Sequence, residues 1–341
     1  MINISSKIND SIAFNHLKKL IEIRSRDKSR YYKNLPLIIF EYIENLNGLN
    51  PHLDLQFKIF LSNILDLIIV DDLNRNLITA KPEKLSVLIR LIEYKFKNLL
   101  DSNYSNNDYT YRKLLSKIFY YDNYDRWDAY ELASQLKVNI CPYCNRIPTY
   151  TIGKSLRKGT RPQFDHFFDK SRYPYLSLSI YNLVPSCNIC NSSYKHSKEF
   201  NIKDHYHPYL KGFDCENIKF TLEIENIEDL LSVVDTSLKI PKYEIGFKSD
   251  SHKNVPKNIL DLGLKELYNY DKSYTDDIIK KSFIYNKDYI DSLYKEWEGS
   301  LFGSKEEIKN LVMGNYLNID DINKRPLGKL TKDITEELGI F

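Results

Sequence analysis

Hydrophobic positions in the first part of the chain recur with a helical period. Leu85, Leu88, Ile89, Ile92, Phe96 and Leu99 follow i, i+3, i+4, i+7 spacing, which puts them on one face of a helix. Pro82 suits the first turn of that helix, where its missing N–H costs nothing. Similar stripes run through Phe14–Ile23, Leu35–Leu46 and Phe57–Val70. Asp125 is placed to cap a further helix through Trp127 and Leu132. Residues 1–138 therefore read as a helical domain, serving as a scaffold, a partner-docking surface or a DNA-contacting arm.

The pattern changes at about residue 139. Residues 139–212 are rich in Tyr, Pro, Asn, Ser, Cys and basic side chains, which predicts loops and short elements. Beyond them Ile218, Phe220, Leu222 and Ile224 alternate with polar residues, as do Tyr243, Ile245 and Phe247. Period two predicts two strands, paired as a ribbon. From Pro256 the helical period returns through Ile259–Leu267, Tyr274–Trp297 and Ile308–Val312, and Ser304-x-x-Glu307 has the form of a capping box. The expected fold class is mainly α with α+β parts: a helical domain (1–138), a central module (139–212) and a small α+β extension (213–341).

A hydrophobic content of 42% with 28% charged residues is ordinary for a soluble globular chain. Apolar runs such as Leu35–Phe40 and Leu65–Val70 are too short to span a bilayer, and Met1–Asp10 has no apolar core of the signal-peptide kind. A soluble, cytoplasmic protein is expected. The net charge of +3 is uninformative, but its distribution is not. Between Cys141 and Lys211 there are 11 Lys/Arg and 4 Asp/Glu, a local +7 that leaves 3 − 7 = −4 elsewhere. A basic island of this kind is either a phosphate-contacting surface or a solvated charged face.

Four of the five cysteines form two Cys-x-x-Cys pairs, Cys141-Pro-Tyr-Cys144 and Cys187-Asn-Ile-Cys190. Two residues between cysteines let both thiolates of a turn face one ion, and two such turns complete a tetrahedron around Zn²⁺. Four protein ligands leave no open position, so this zinc would be structural. Cys215 stands alone and reads as an inert packing residue. The spacer between the pairs, residues 145–186, is longer than in simple zinc ribbons, so something is folded inside it.

The spacer carries Phe164-Asp165-His166-Phe167, then Lys170-Ser171-Arg172-Tyr173-Pro174, then Tyr181-Asn182-Leu183-Val184-Pro185-Ser186, and runs into Cys187-Asn188-Ile189-Cys190-Asn191 and Lys195. With these motifs, Cys141 to about Phe200 resembles the HNH (ββα-metal) endonuclease family in its zinc-stabilised, four-cysteine branch. The resemblance implies a hydrolase that cuts phosphodiester bonds of DNA, leaving 5′-phosphate and 3′-hydroxyl ends. It implies His166 as general base, Asp165 and Asn191 as ligands of a catalytic Mg²⁺ or Mn²⁺, and Asn182 as the brace of the loop behind the histidine. His196 is an alternative or additional metal ligand. Arg172 and Lys195 are candidate phosphate contacts, and Arg157, Lys158 and Arg161 belong to a basic hairpin tip suited to sequence-independent backbone contact. His205 and His207 are candidates for a supporting role, whereas His16, His52 and His252 read as incidental.

A central HNH module between helical segments is similar to HNH effectors of prokaryotic antiviral (anti-phage) defence, of the Septu and retron-linked type. Some of these work beside an ATPase partner; no ATP-binding loop is visible in this chain, so any ATP dependence would come from such a partner. The alternative expectation is a non-catalytic zinc module that binds nucleic acid or a protein. A decayed site would be expected to lose Asp165, His166 or Asn191, and all three are present.

Overall fold

A computed structural model describes the whole chain except residues 23, 28–29, 33, 107, 123–126, 154–157, 227–232, 235–242, 250–255 and 341. Its contacts divide it into two compact units. One contains residues 4–138 and 150–210, the other residues 1–3, 139–149 and 211–341. About half of the structure is helical, with small antiparallel two-stranded sheets.

In the first unit the helices are Asp10–Ile21, Leu35–Asn45, Pro51–Ile69, Pro82–Asp101, Tyr111–Ile118 and Ala129–Leu136. Their starts follow from short polar caps. Asn9 accepts from the Ile12 N–H, Asn34 from Leu37 and Asn50 from His52 and Leu53, satisfying donors that have no partner within the first turn. Leu85, Ile89, Ile92 and Leu99 are buried as their spacing requires, while Leu88 and Phe96 are half-buried. Asp125 lies outside the described residues; the cap of the Ala129–Leu136 helix is Asp128, which accepts from the Glu131 N–H.

Residues 150–210 contribute a strand Gln163–His166 paired antiparallel with Leu183–Ser186, Asp165 opposite Val184 and His166 opposite Leu183. A wide-wound helical turn, Ile189–Lys195, follows. The loop between the strands is tied to the helical part. Ser177 Oγ donates to the Phe119 carbonyl (2.7 Å), Ser179 Oγ to the Leu77 carbonyl (2.8 Å), and the Ile180 N–H to the Ile78 carbonyl (2.8 Å). His16, read as incidental, is buried and its Nε2 donates to the Leu178 carbonyl at 2.8 Å, so it anchors the same loop. Its ring also meets Trp127, which packs on Tyr121 and Phe164.

In the second unit, Ile218–Ile224 and Tyr243–Ser249 pair antiparallel, with Phe220 opposite Phe247 and Leu222 opposite Ile245. One face of this ribbon joins Tyr268, Ile278, Met313 and Ile334 in the core. The helices are Asn258–Asp261, Leu264–Asn269, Ser273–Ile284, Lys287–Trp297, Lys305–Met313 and Gly328–Glu337. The Ile259–Leu267 stretch is interrupted where Gly263 takes φ +54°. Tyr274–Trp297, one periodic stretch in sequence, is two helices because the Asn286 side chain accepts from the Tyr289 N–H and starts a new one. Ser304 accepts from the Glu307 N–H, and the Glu307 carboxylate returns to the Gly303 N–H, one residue before the usual capping-box position. Among the described residues no helix is long and apolar enough to cross a membrane.

Candidate metal centre and polar pocket

The four paired cysteines converge. The Sγ atoms of Cys141, Cys144, Cys187 and Cys190 all lie within 4.8 Å of one another, and all four residues are buried. In a tetrahedral zinc site with Zn–S of about 2.3 Å the sulfurs stand about 3.8 Å apart, so the cluster has the right size for that ion. Tight turns set the first pair: the Cys141 N–H bonds the Ile147 carbonyl, and the Asn145 N–H bonds the Cys141 carbonyl with Asn145 at φ +50°. In the second pair the Cys190 N–H points at Cys187 Sγ (3.4 Å), a contact that stabilises thiolate charge. Burial of four soft donors in one spot suits zinc and would be costly without an ion to share. Cys215 does not pack inside; it is exposed, and its sulfur accepts from Asn3 Nδ2.

A second centre lies in the first unit, a pocket of about 290 Å³ lined by Asp165, His166, Asn191, Lys195, His196 and neighbouring polar residues. Of the residues singled out in the sequence, Asp165, His166, Asn191, Lys195, His196 and Arg161 line this cavity, and Asn182, Lys158 and Arg172 do not. Asp165 and His166 arrive there from one strand, Asn191 and Lys195 from the helical turn beyond Cys190. Asn182 is fully buried beneath it. Its Oδ1 accepts from the Phe168 N–H and its Nδ2 donates to the Phe168 and Leu176 carbonyls, which pins both ends of the loop after His166.

His166 Nε2 lies 2.9 Å from the Ser177 carbonyl. A carbonyl only accepts, so Nε2 carries the proton and Nδ1 keeps its lone pair. Burial pushes this imidazole down to about 3, with Lys170 and Lys195 adding to the effect against the Ser177 bond. The ring is neutral at pH 7, the form a proton acceptor needs. Tyr121 stands edge-on to it, with centroids 4.4 Å apart.

Lys195, a candidate phosphate contact, has partners inside the protein. It is 2% exposed, and its ammonium donates to Asp165 Oδ1 (2.9 Å) and to the His166 carbonyl (2.6 Å). The residue nevertheless stands at the wall of the pocket. Arg172 is ion-paired with Glu199, Arg161 lines the pocket with its guanidinium over the Tyr130 and Phe164 rings, Lys158 is exposed, and Arg157 lies outside the described residues. His196 lines the pocket at φ +44°, a backbone region that costs a non-glycine residue energy and is found where local structure over-determines it. His205 stacks on Phe200 and His207 on Phe167; both are buried, and neither is among the residues lining the pocket.

A hard divalent ion would find oxygen donors in this pocket. Asp165 has one oxygen engaged by Lys195, but a carboxylate offers about four lone-pair sites. Asn191 Nδ2 donates to Gln163 Oε1 (2.9 Å), which leaves Oδ1 as its ligating end. One carboxylate and one amide oxygen, completed by water and phosphate oxygens, is the kind of set Mg²⁺ accepts. Gln163 was not singled out in the sequence, although it sits two residues before Asp165 and so on the same strand face. It also receives Ser192 Oγ and donates to Asn188, which locks the helical turn onto the strand. Comparison with known proteins finds no matching family model, curated protein or solved structure.

Proposed function

We propose that this chain is an HNH-type endonuclease: a metal-dependent hydrolase of DNA phosphodiester bonds whose chemistry lies at the Asp165–His166 pocket and whose zinc is structural. One observation carries the reading. A strand, a returning strand and a helical turn bring Asp165, His166 and Asn191 to one polar cavity, with His166 neutral and held by its Nε2–H so that Nδ1 is the basic atom.

In this reading His166 Nδ1 takes a proton from water as the oxygen attacks phosphorus. The P–O3′ bond breaks, and the 3′ oxygen leaves with the electron pair and takes a proton from solvent water to become the hydroxyl, with the 5′ end keeping the phosphate. Asp165 and Asn191, with His196 as the alternative, would hold Mg²⁺ or Mn²⁺. When bound, that ion would neutralise charge on the phosphate and the leaving oxygen. Asn182, through the loop it pins, and the Ser177 carbonyl keep the imidazole oriented. A place in antiviral defence beside an ATPase partner is the biological setting that fits the flanking helical segments.

Purified protein with Mg²⁺ or Mn²⁺, alone or with its partner, is expected to cut plasmid DNA. His166→Ala should lose roughly 10²- to 10⁴-fold in rate while still binding DNA, as removal of a general base does. A mutant that cuts as fast as the parent removes His166 from the chemistry. The buried Lys195–Asp165 pair favours a second reading, a zinc module that binds nucleic acid or protein without cutting it, because a fixed ammonium occupies one face of the intended metal ligand. Under that reading neither Mg²⁺ nor Mn²⁺ would support cleavage under any partner condition, and isothermal titration would find no divalent ion binding that depends on Asp165.

A further inference from the structure

Beside the polar pocket lies a second cavity of about 280 Å³ with a different character. Phe119, Tyr120, Tyr121 and Pro174 give it ring and aliphatic walls, and Ser116 and Ser171 add hydroxyls. The two cavities share Tyr121, Asp122 and Lys170, so a ligand filling one abuts a ligand filling the other. The Lys170 ammonium sits at this junction, 4.6 Å from the Tyr121 ring centre and 3.5 Å from Asp122. Tyr120 is 51% exposed, a large ring left half in water at the cavity edge.

We infer that this second cavity is a nucleobase subsite, so that the substrate strand places an unpaired base against the exposed Tyr120 ring while the adjoining phosphate lies at His166. The inference rests on the nuclease reading for the position of the phosphate. The chemistry of the walls supports a base over other occupants. Aromatic faces stack any base, hydroxyls meet the polar ring edges, and a cation at the junction with Arg161 beyond it meets the backbone. An alternation of flat apolar and charged groups along a groove is the profile of a nucleic-acid strand. A base inside a duplex is stacked between its neighbours and cannot enter, so the site selects single-stranded or locally opened nucleic acid.

The test uses full-length protein on the His166→Ala background without divalent ions, and a labelled oligonucleotide offered as single strand and as duplex. The single strand should bind more tightly. Adding Tyr120→Ala should weaken single-strand binding by roughly five- to a hundred-fold and leave duplex binding unchanged. Tyr120→Phe, which keeps the ring, should bind like the His166→Ala parent, and the melting temperature should not move in either variant. No single-strand binding at all, or equal binding by the Tyr120→Ala protein, overturns the subsite. The two readings fail separately. Tyr120-dependent binding by a protein that never cuts sinks the nuclease and keeps the subsite. Cutting that is indifferent to Tyr120 does the reverse.

Discussion

The ribbon of Ile218–Ile224 with Tyr243–Ser249 buries apolar positions on one face and sends its charges outward. Lys219 pairs with Glu336, Lys248 with Glu337, and Lys265 with Glu223, all at the surface. The ribbon of Gln163–His166 with Leu183–Ser186 has nothing of this alternation. Seven of its eight residues are buried on both faces, among them Asp165, His166 and Ser186. The first is what a fold needs to close a core. The second takes ionisable groups out of water, and the attraction between Lys195 and Asp165 repays that desolvation at best in part. Stability alone would favour an apolar substitute there, and under the proposed nuclease reading these residues would be kept for the chemistry of the pocket.

That contrast can be broken or sharpened by experiment. The largest effect is expected from Cys144→Ser, which removes a thiolate from an ion whose binding in such sites is worth roughly 10–16 kcal/mol. Elemental analysis should show zinc lost and thermal melting a much less stable protein; a mutant with one zinc and a native melting curve would separate the cysteine cluster from metal binding. Next comes Lys195→Met, which strands a buried carboxylate and should cost about 3–5 kcal/mol in urea unfolding. Its matched partner, Lys219→Met on the other ribbon, removes only an exposed pair. It closes the series at under about 0.5 kcal/mol. Equal costs for the two lysines would erase the distinction between the ribbons.

Between these lies a pH effect. Burial holds His16 down at about 4, and the Leu178 bond and Lys19 only modify that. The folded pKa is below the unfolded value near 6.5, so the unfolded chain binds more protons between the two. Stability is therefore complete above about pH 6.5 and falls as pH drops toward about 4, by about 2 kcal/mol for this residue at pH 5. His166 and His207, also held low by burial, add losses of their own over the same range. His16→Gln should therefore reduce the difference between urea-unfolding stabilities at pH 7.5 and 5 by about 2 kcal/mol without abolishing it. An unchanged pH dependence in His16→Gln would mean that this imidazole is charged in the folded protein.

Much of the molecule was legible beforehand. The cysteine pairs announce their cluster because two-residue spacing constrains where thiolates can point. Asp165, His166 and Asn191, singled out through a resemblance, line one pocket. The alternation at Phe220, Leu222 and Ile245 gave the ribbon, and the capping side chains gave several helix starts. The burial of Lys195 was not legible, because sequence carries no sign of whether a lysine ends in water or against a carboxylate 30 residues earlier. The structural bond of His16 was hidden for the same reason, since its partner is a backbone carbonyl 162 residues away.

By itself, then, the sequence determined the helical stripes, the long ribbon and the set of residues able to bind metal or move a proton. Those properties depend on local periodicity and on side-chain chemistry, both carried by neighbouring residues. The tertiary structure alone decided which nitrogen of His166 is basic, that Gln163 clamps Asn191, and that Tyr120 and Tyr121 wall the space beside the pocket. Each of these depends on a group from a distant segment arriving within a few ångströms, and a periodic pattern says which face will be covered without saying by what.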